Sequence, residues 1–235
     1  MKSIEADLSG VGTLEKLFEL WLKEHKKSGS KEREQAEEVR ESTFPDLNCT
    51  KDKSGVIQVK RYADNFCESF CYDGFLTGRQ EGEKTILFIC REANIADEKH
   101  ICNDMLLPET TRSANCFGQF WMKEQFLCPE KRKNNKYCKL IQKIVGAFPE
   151  PAGLAYMNLN KRGGFGACNM ARVGHYVKLY RAYIEKEIEL IQPDLIICGG
   201  TYDTVIKYFP AFRNKCKNYY HPCYRIEEKM SKASV

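Results

Sequence analysis

Four runs of this chain end on residues that can do chemistry. The apolar run 85–90 is followed by Arg91, Glu92 and Asn94, and the run 154–159 carries Asn158 and leads to Asn160, Lys161 and Arg162. The run 195–198 leads to Gly199-Gly200-Thr201, and a weaker one, CKNYYHP, delivers His221 and Pro222. A carboxylate can position water or steady a developing positive charge, and a histidine can donate to a developing anion. An amide donates and accepts at once, so Asn158 or Asn160 can read the edge of a base. The Gly-Gly turn lets a ligand approach the backbone closely. Each residue also has a plainer reading. Glu92 would be a loop acid paired with Arg91 or Lys99, and His221 a turn residue. The asparagines would satisfy backbone groups at a strand end, and Lys161 and Arg162 would meet only water.

The elements that must position these groups alternate. Runs of buried, non-alternating apolar residues read as strands, and stretches of helical periodicity separate them over 137–148, 172–192 and 202–209. The second of these stretches is closed by Pro193. This pattern predicts a three-layer α/β/α domain around a central, mainly parallel four-stranded sheet, whose strand ends share one edge. Ahead of it, the segment 14–25 reads as an amphipathic helix with Leu14, Leu17, Phe18 and Trp21 on one face and Thr13 as N-cap. Ser28-Gly29-Ser30 reads as a linker to a second, solvated helix that ends before Pro45, with a short strand over 56–59. The expected division is an N-terminal helical extension over 1–50 and the α/β/α domain over 51–235.

Charge is distributed unevenly. Residues 131–235 hold 19 Lys and Arg against 8 Asp and Glu, a net +11; the first 130 hold 18 against 24, a net −6, giving the +5 of the whole chain. The stretches 131–143 and 204–226 contain six and five basic residues and no acid, with aromatic residues between them. Such a face suits a polyanion. No apolar run is long enough to cross a membrane and the N-terminus is not a secretory signal, so the reducing cytoplasm is expected. The 12 cysteines are then expected as free thiols, with Cys90 and Cys198 as small core residues. There is no Cys-x-x-Cys pair, and Cys67 and Cys71 with Cys116, Cys128 or Cys138 form no recognisable ligand spacing. KRGGFGAC lacks the ending of a phosphate-binding loop, and no Gly-x-Ser-x-Gly elbow is present.

The four strand-end segments, in order, resemble the uracil-DNA glycosylase superfamily. ILFICREAN is similar to its first motif, a strand and turn carrying the water-activating acid or amide. LAYMNLNK is similar to its second strand, LIICGGTYD to the third, and YHPCYR to the His-Pro motif that closes the site. The resemblance spans residues 84–225. Cys90 stands where glycine is usual, Ala93 where proline is frequent, and Cys223 where serine usually follows the His-Pro pair.

The resemblance implies a monofunctional DNA glycosylase that flips a base out of the helix and hydrolyses its N-glycosidic bond. Glu92 would position water and steady the sugar, His221 would stabilise the departing base, and Asn94 would place water or shape the pocket wall. Asn158, Asn160 and Phe117 would recognise the base. Arg91, Lys161, Arg162, Thr201, Tyr224 and Arg225 would contact DNA. Asn94 stands where the uracil-specific enzymes place a bulky tyrosine, so the expected substrate is a pyrimidine substituted at C5, as in foreign modified DNA. The expected protein is a monomer that needs no metal or organic cofactor. Two rivals stay open, an inactive module that binds modified DNA and an enzyme of free nucleosides or nucleotides.

Overall fold

The computed structural model describes residues 3–38, 70–78, 82–94, 126–147, 152–164, 168 and 170–220. The expected strand over 56–59, Cys67, Phe117, Cys116, His221, Pro222, Tyr224 and Arg225 lie outside these residues, as does the side chain of Asn94.

Strand β1 is Gly74–Phe75, β2 is Lys84–Asn94, β3 is Ala152–Gly164, β4 is Leu195–Gly199 and β5 is Cys216–Tyr219. They form a five-stranded sheet in the order β1-β3-β2-β4-β5. The last four are parallel, and β1 pairs antiparallel with β3. The sheet therefore has five strands and not the expected four. The extra one is a two-residue edge pairing, too short to leave an apolar signature. β2 and β3 also outrun their apolar cores, pairing as far as Glu92 with Asn160 and, after a register shift, Asn94 with Gly164.

Helices lie on both faces, as expected of three layers. Side chains alternate across each strand, so Ile86, Phe88, Cys90, Leu154, Tyr156 and Ile197 face one way. They pack with Phe126 and with Cys138, Ile141 and Ile144 of a helix over Lys136–Val145. The preceding short helix is Pro129–Asn134; these two are α2 (Pro129–Asn134) and α3 (Lys136–Val145). Leu87, Ile89, Ala155, Met157, Leu159, Ile196 and Cys198 face the other way, into the larger core. Helices α1 (Leu14–Glu38), α4 (Met170–Leu179), α5 (Arg181–Ile191) and α6 (Tyr202–Tyr208) contribute to that core. Cys90 and Cys198 are thus core residues, and the described cysteines are free thiols.

Thr13 caps α1 as expected, its hydroxyl accepting the Lys16 N–H at 3.3 Å. The helix then runs on through Ser28-Gly29-Ser30, so the expected linker there is incorrect. Leu17, Phe18, Trp21 and His25 are buried beneath it in the same core as the sheet, so this helix is a structural layer of the α/β unit. The long helix expected over 172–192 is two. The break falls at Tyr180, whose N–H still reaches Tyr176 C=O at 2.9 Å. Gln192 closes α5 in the left-handed conformation, its N–H on Ile188 C=O at 3.1 Å. No helix among the described residues is long and apolar enough to cross a membrane.

Candidate functional site

From β2 the chain crosses to β3 on one side and later to β4 on the other. The carboxyl ends of β2 and its neighbours are therefore a topological switch point, where open parallel sheets form their ligand crevice. Glu92 lies there, opposite Asn160 in register. Its side chain is 5% exposed. Oε2 accepts from Asn160 Nδ2 at 2.8 Å, and Oε1 from Arg172 Nη2 at 2.5 Å. Arg172 is in the first turn of α4, so three elements converge on one carboxylate.

Burial raises the Glu92 pKa more than the Arg172 charge and the Asn160 hydrogen bond lower it. The carboxylate is thus held in place yet takes a proton more readily than one in water. A carboxylate offers about four lone-pair sites. Asn160 and Arg172 take two, and the Cys168 thiol lies near the same group. That thiol is pushed up to about 12, by burial first and then by the Glu92 charge, so it is a neutral donor and not a nucleophile. Among the described residues these three groups are the partners of the Glu92 carboxylate.

Arg91 packs on Gly200 at the carboxyl end of β4. Arg91 Nε donates to Gly200 C=O at 3.3 Å. Gly200 has φ +69°, which favours glycine, and a Cβ there would lie 2.6 Å from Arg91 Nη2, so any larger residue would also displace the guanidinium. Thr201, expected to contact DNA, is buried and donates its hydroxyl to Ile89 C=O at 2.8 Å, tying β4 to β2.

Two further expectations are corrected. Lys161 and Arg162 are inside the protein and present no cation to a phosphate. Lys161 is 0% exposed and continues the inward face of Ala155, Met157 and Leu159. Its ammonium pairs with Asp73 and lies 2.9 Å from Glu187 Oε1 and 2.8 Å from Oε2. It also stands over the rings of Trp21 and Phe18, at 5.4 and 5.7 Å. Arg162 donates to His25 C=O at 3.2 Å and to Tyr180 Oη at 3.3 Å.

Asn158 is buried beside this cluster. Its N–H donates to Asp73 Oδ2 at 2.5 Å, and its Oδ1 accepts from Tyr156 Oη at 3.3 Å. A base-reading role for Asn158 therefore requires an exchange of partners. Asn160 is placed to orient Glu92 and also accepts the Arg162 N–H at 3.0 Å. Asn94 ends β2 across from Gly164.

Sequence reasoning missed Arg172, Asp73, Glu187, Cys168 and His25. Nothing in a single sequence pairs Glu92 with an arginine eighty positions away. Asp73 lies in a short segment with no periodicity. Glu187 does leave a trace, since it falls on the apolar stripe of α5 with Ile184, Ile188 and Ile191. His25 lies on the buried face of α1, its Nε2 2.6 Å from Tyr176 Oη and its ring among Trp21, Phe70 and Tyr180. Among the described residues no group of three or more His, Cys, Asp and Glu converges as a metal site. No family model matches the chain, and no curated protein or solved structure matches it.

Proposed function

We propose that the protein is a monofunctional DNA glycosylase acting on a flipped-out, modified pyrimidine. The observation that carries the reading is Glu92. It is a buried carboxylate at the switch point of a parallel sheet, braced by Asn160 and Arg172, with raised proton affinity. In the reaction the C1′–N bond breaks and its electron pair leaves with the base. Water then forms the new C1′–O bond, and its proton passes to Glu92. A carboxylate close to the sugar also opposes the positive charge that builds there. His221, expected just beyond β5, is the proposed donor to the departing base. A donor of that kind contributes roughly 3–4 kcal/mol in a dry site.

The basic C-terminal half supports a polyanionic substrate. Asn94 in the place of a bulky residue supports tolerance of a C5 substituent, and with it a role against foreign modified DNA. A second reading is favoured by one distance. Arg172 at 2.5 Å from Glu92 also suits a purely structural ion pair, in a module that binds modified DNA without cleaving it.

Labelled duplexes containing uracil, 5-hydroxymethylcytosine or its glucosylated form, treated with alkali after incubation, separate the two. The glycosylase reading expects breaks at one base, reduced about 100-fold or more by Glu92→Gln. Salt-sensitive binding without breaks, unchanged by Glu92→Gln, supports the binding module. Breaks with uracil alone would sink the C5 hypothesis.

A further inference from the structure

Strand β5 closes the parallel side of the sheet and buries only the first of its four residues. Cys216 faces the core with Val205 and Phe209. Alternation then turns Lys217 and Tyr219 to the opposite face, about 7 Å apart along the strand. Tyr219 is 43% exposed and Tyr220 55%, and with Leu127 they are the large apolar side chains most exposed among the described residues.

The segment that carries them is basic. Lys207, Arg213, Lys215 and Lys217 are exposed, and the stretch 204–226 holds no acid. Lys207 Nζ lies 5.2 Å from the Tyr208 ring centre, and Lys215 Nζ donates to Pro193 C=O at 2.9 Å. The tyrosines also adjoin the crevice, because Gly200 N–H donates to Tyr219 C=O at 2.8 Å. That contact places them one strand from the turn on which Arg91 packs.

We propose that the β5 edge is a track for single-stranded nucleic acid, with Tyr219 and Tyr220 stacking bases and Lys217, on the same face as Tyr219, meeting phosphate. Aromatic rings interleaved with cations on a sheet surface recognise unpaired bases in this way, with little regard for sequence. The rival occupant of an open edge is a strand from another protein. A four-residue strand carrying a lysine is the usual device against that pairing. As an extension of the DNA reading the proposal rests on it, since it assigns the strand flanking the flipped base to this edge.

The test is anisotropy of a short labelled single strand with the full-length protein, over a range of salt. Tyr219→Ala and Tyr220→Ala should each weaken binding by about fivefold to a hundredfold. The corresponding phenylalanine variants should bind like wild type. Lys217→Ala should reduce the slope of log K against log salt by about 0.7. All these side chains are exposed, so unchanged melting temperatures should accompany the losses.

Alanine variants that bind like wild type overturn the track, and if wild type still excises a base the glycosylase reading stands. Tyrosine-dependent binding with no excision of any base keeps the track and removes the glycosylase. Self-association of the chain through β5, without nucleic-acid binding, overturns the track.

Discussion

Replacing Glu187 by glutamine tests the buried cluster, because one lysine there serves two carboxylates. Asp73, Lys161 and Glu187 are all 0% exposed. Burial pushes the Glu187 pKa from 4.5 up to about 7, against the attraction of Lys161 and with added repulsion from Asp73, which is itself displaced upward. The folded protein therefore keeps the Glu187 proton to about pH 7, whereas the unfolded chain releases it near 4.5. Between those values the folded state binds more protons, so stability falls as pH rises. At 1.36 kcal/mol per pH unit the loss is about 3 kcal/mol. Glutamine resembles the protonated acid and still offers Lys161 an oxygen. Glu187→Gln should match wild type near pH 4.5 and exceed it by up to about 3 kcal/mol at pH 8. Urea unfolding of both proteins across this range reads the difference directly, provided their denaturant slopes agree. A variant less stable than wild type at pH 8 would refute the reasoning. It would mean that the second ion pair outweighs the cost of burying its charge.

Arg172→Leu leaves Glu92 buried with Asn160 and no cation; it should cost about 3 kcal/mol at pH 8 and visibly less at pH 5, by the same unfolding assay. Trp21 is fully buried between Phe70, Tyr176 and Tyr183, so Trp21→Ala should destabilise by about 3–5 kcal/mol. Asp194 Oδ2 accepts the Thr85 N–H at 2.8 Å, and its own N–H returns to Thr85 C=O at 2.9 Å. Asp194→Ala should lower stability by about 1 kcal/mol, read as a small drop in melting temperature.

Strands β2, β3 and β4 were legible because strands buried on both faces need uninterrupted apolar runs, whereas β5, which buries only its first residue, left a weaker trace. Their polar continuations were not, since pairing from Arg91 to Asn94 is held by hydrogen bonds and ion pairs that no periodicity encodes. The division between α4 and α5 was hidden for another reason. Tyr176, Tyr180 and Tyr183 stay on one buried face across the break, so the helical phase survives it. Glu92 and Asn160 could be placed at the crevice from their strand ends alone. Lys161 was misread although its parity with Met157 and Leu159 pointed inward, because a lysine is rarely buried without partners. Those partners, Asp73 and Glu187, are distant in sequence and carry no local mark.

The order of strands also bears on how the chain reaches this state. Of the described strands β2 is the first long one, yet Ile86 pairs with Leu154 and Leu195, far along the chain. No two adjacent strands of the described sheet are joined by a hairpin, so each ladder must close a long loop before it gains its hydrogen bonds. The buried face of α1 likewise waits for Tyr176, Tyr180 and Tyr183. During synthesis the segment TILFIC therefore emerges before β3 and β4, its partners in the described sheet, and until then is an apolar strand open to self-association. Folding should be slow for a domain of this size and dependent on protection of that segment. The middle of the described sheet forms only once Leu195 has been made.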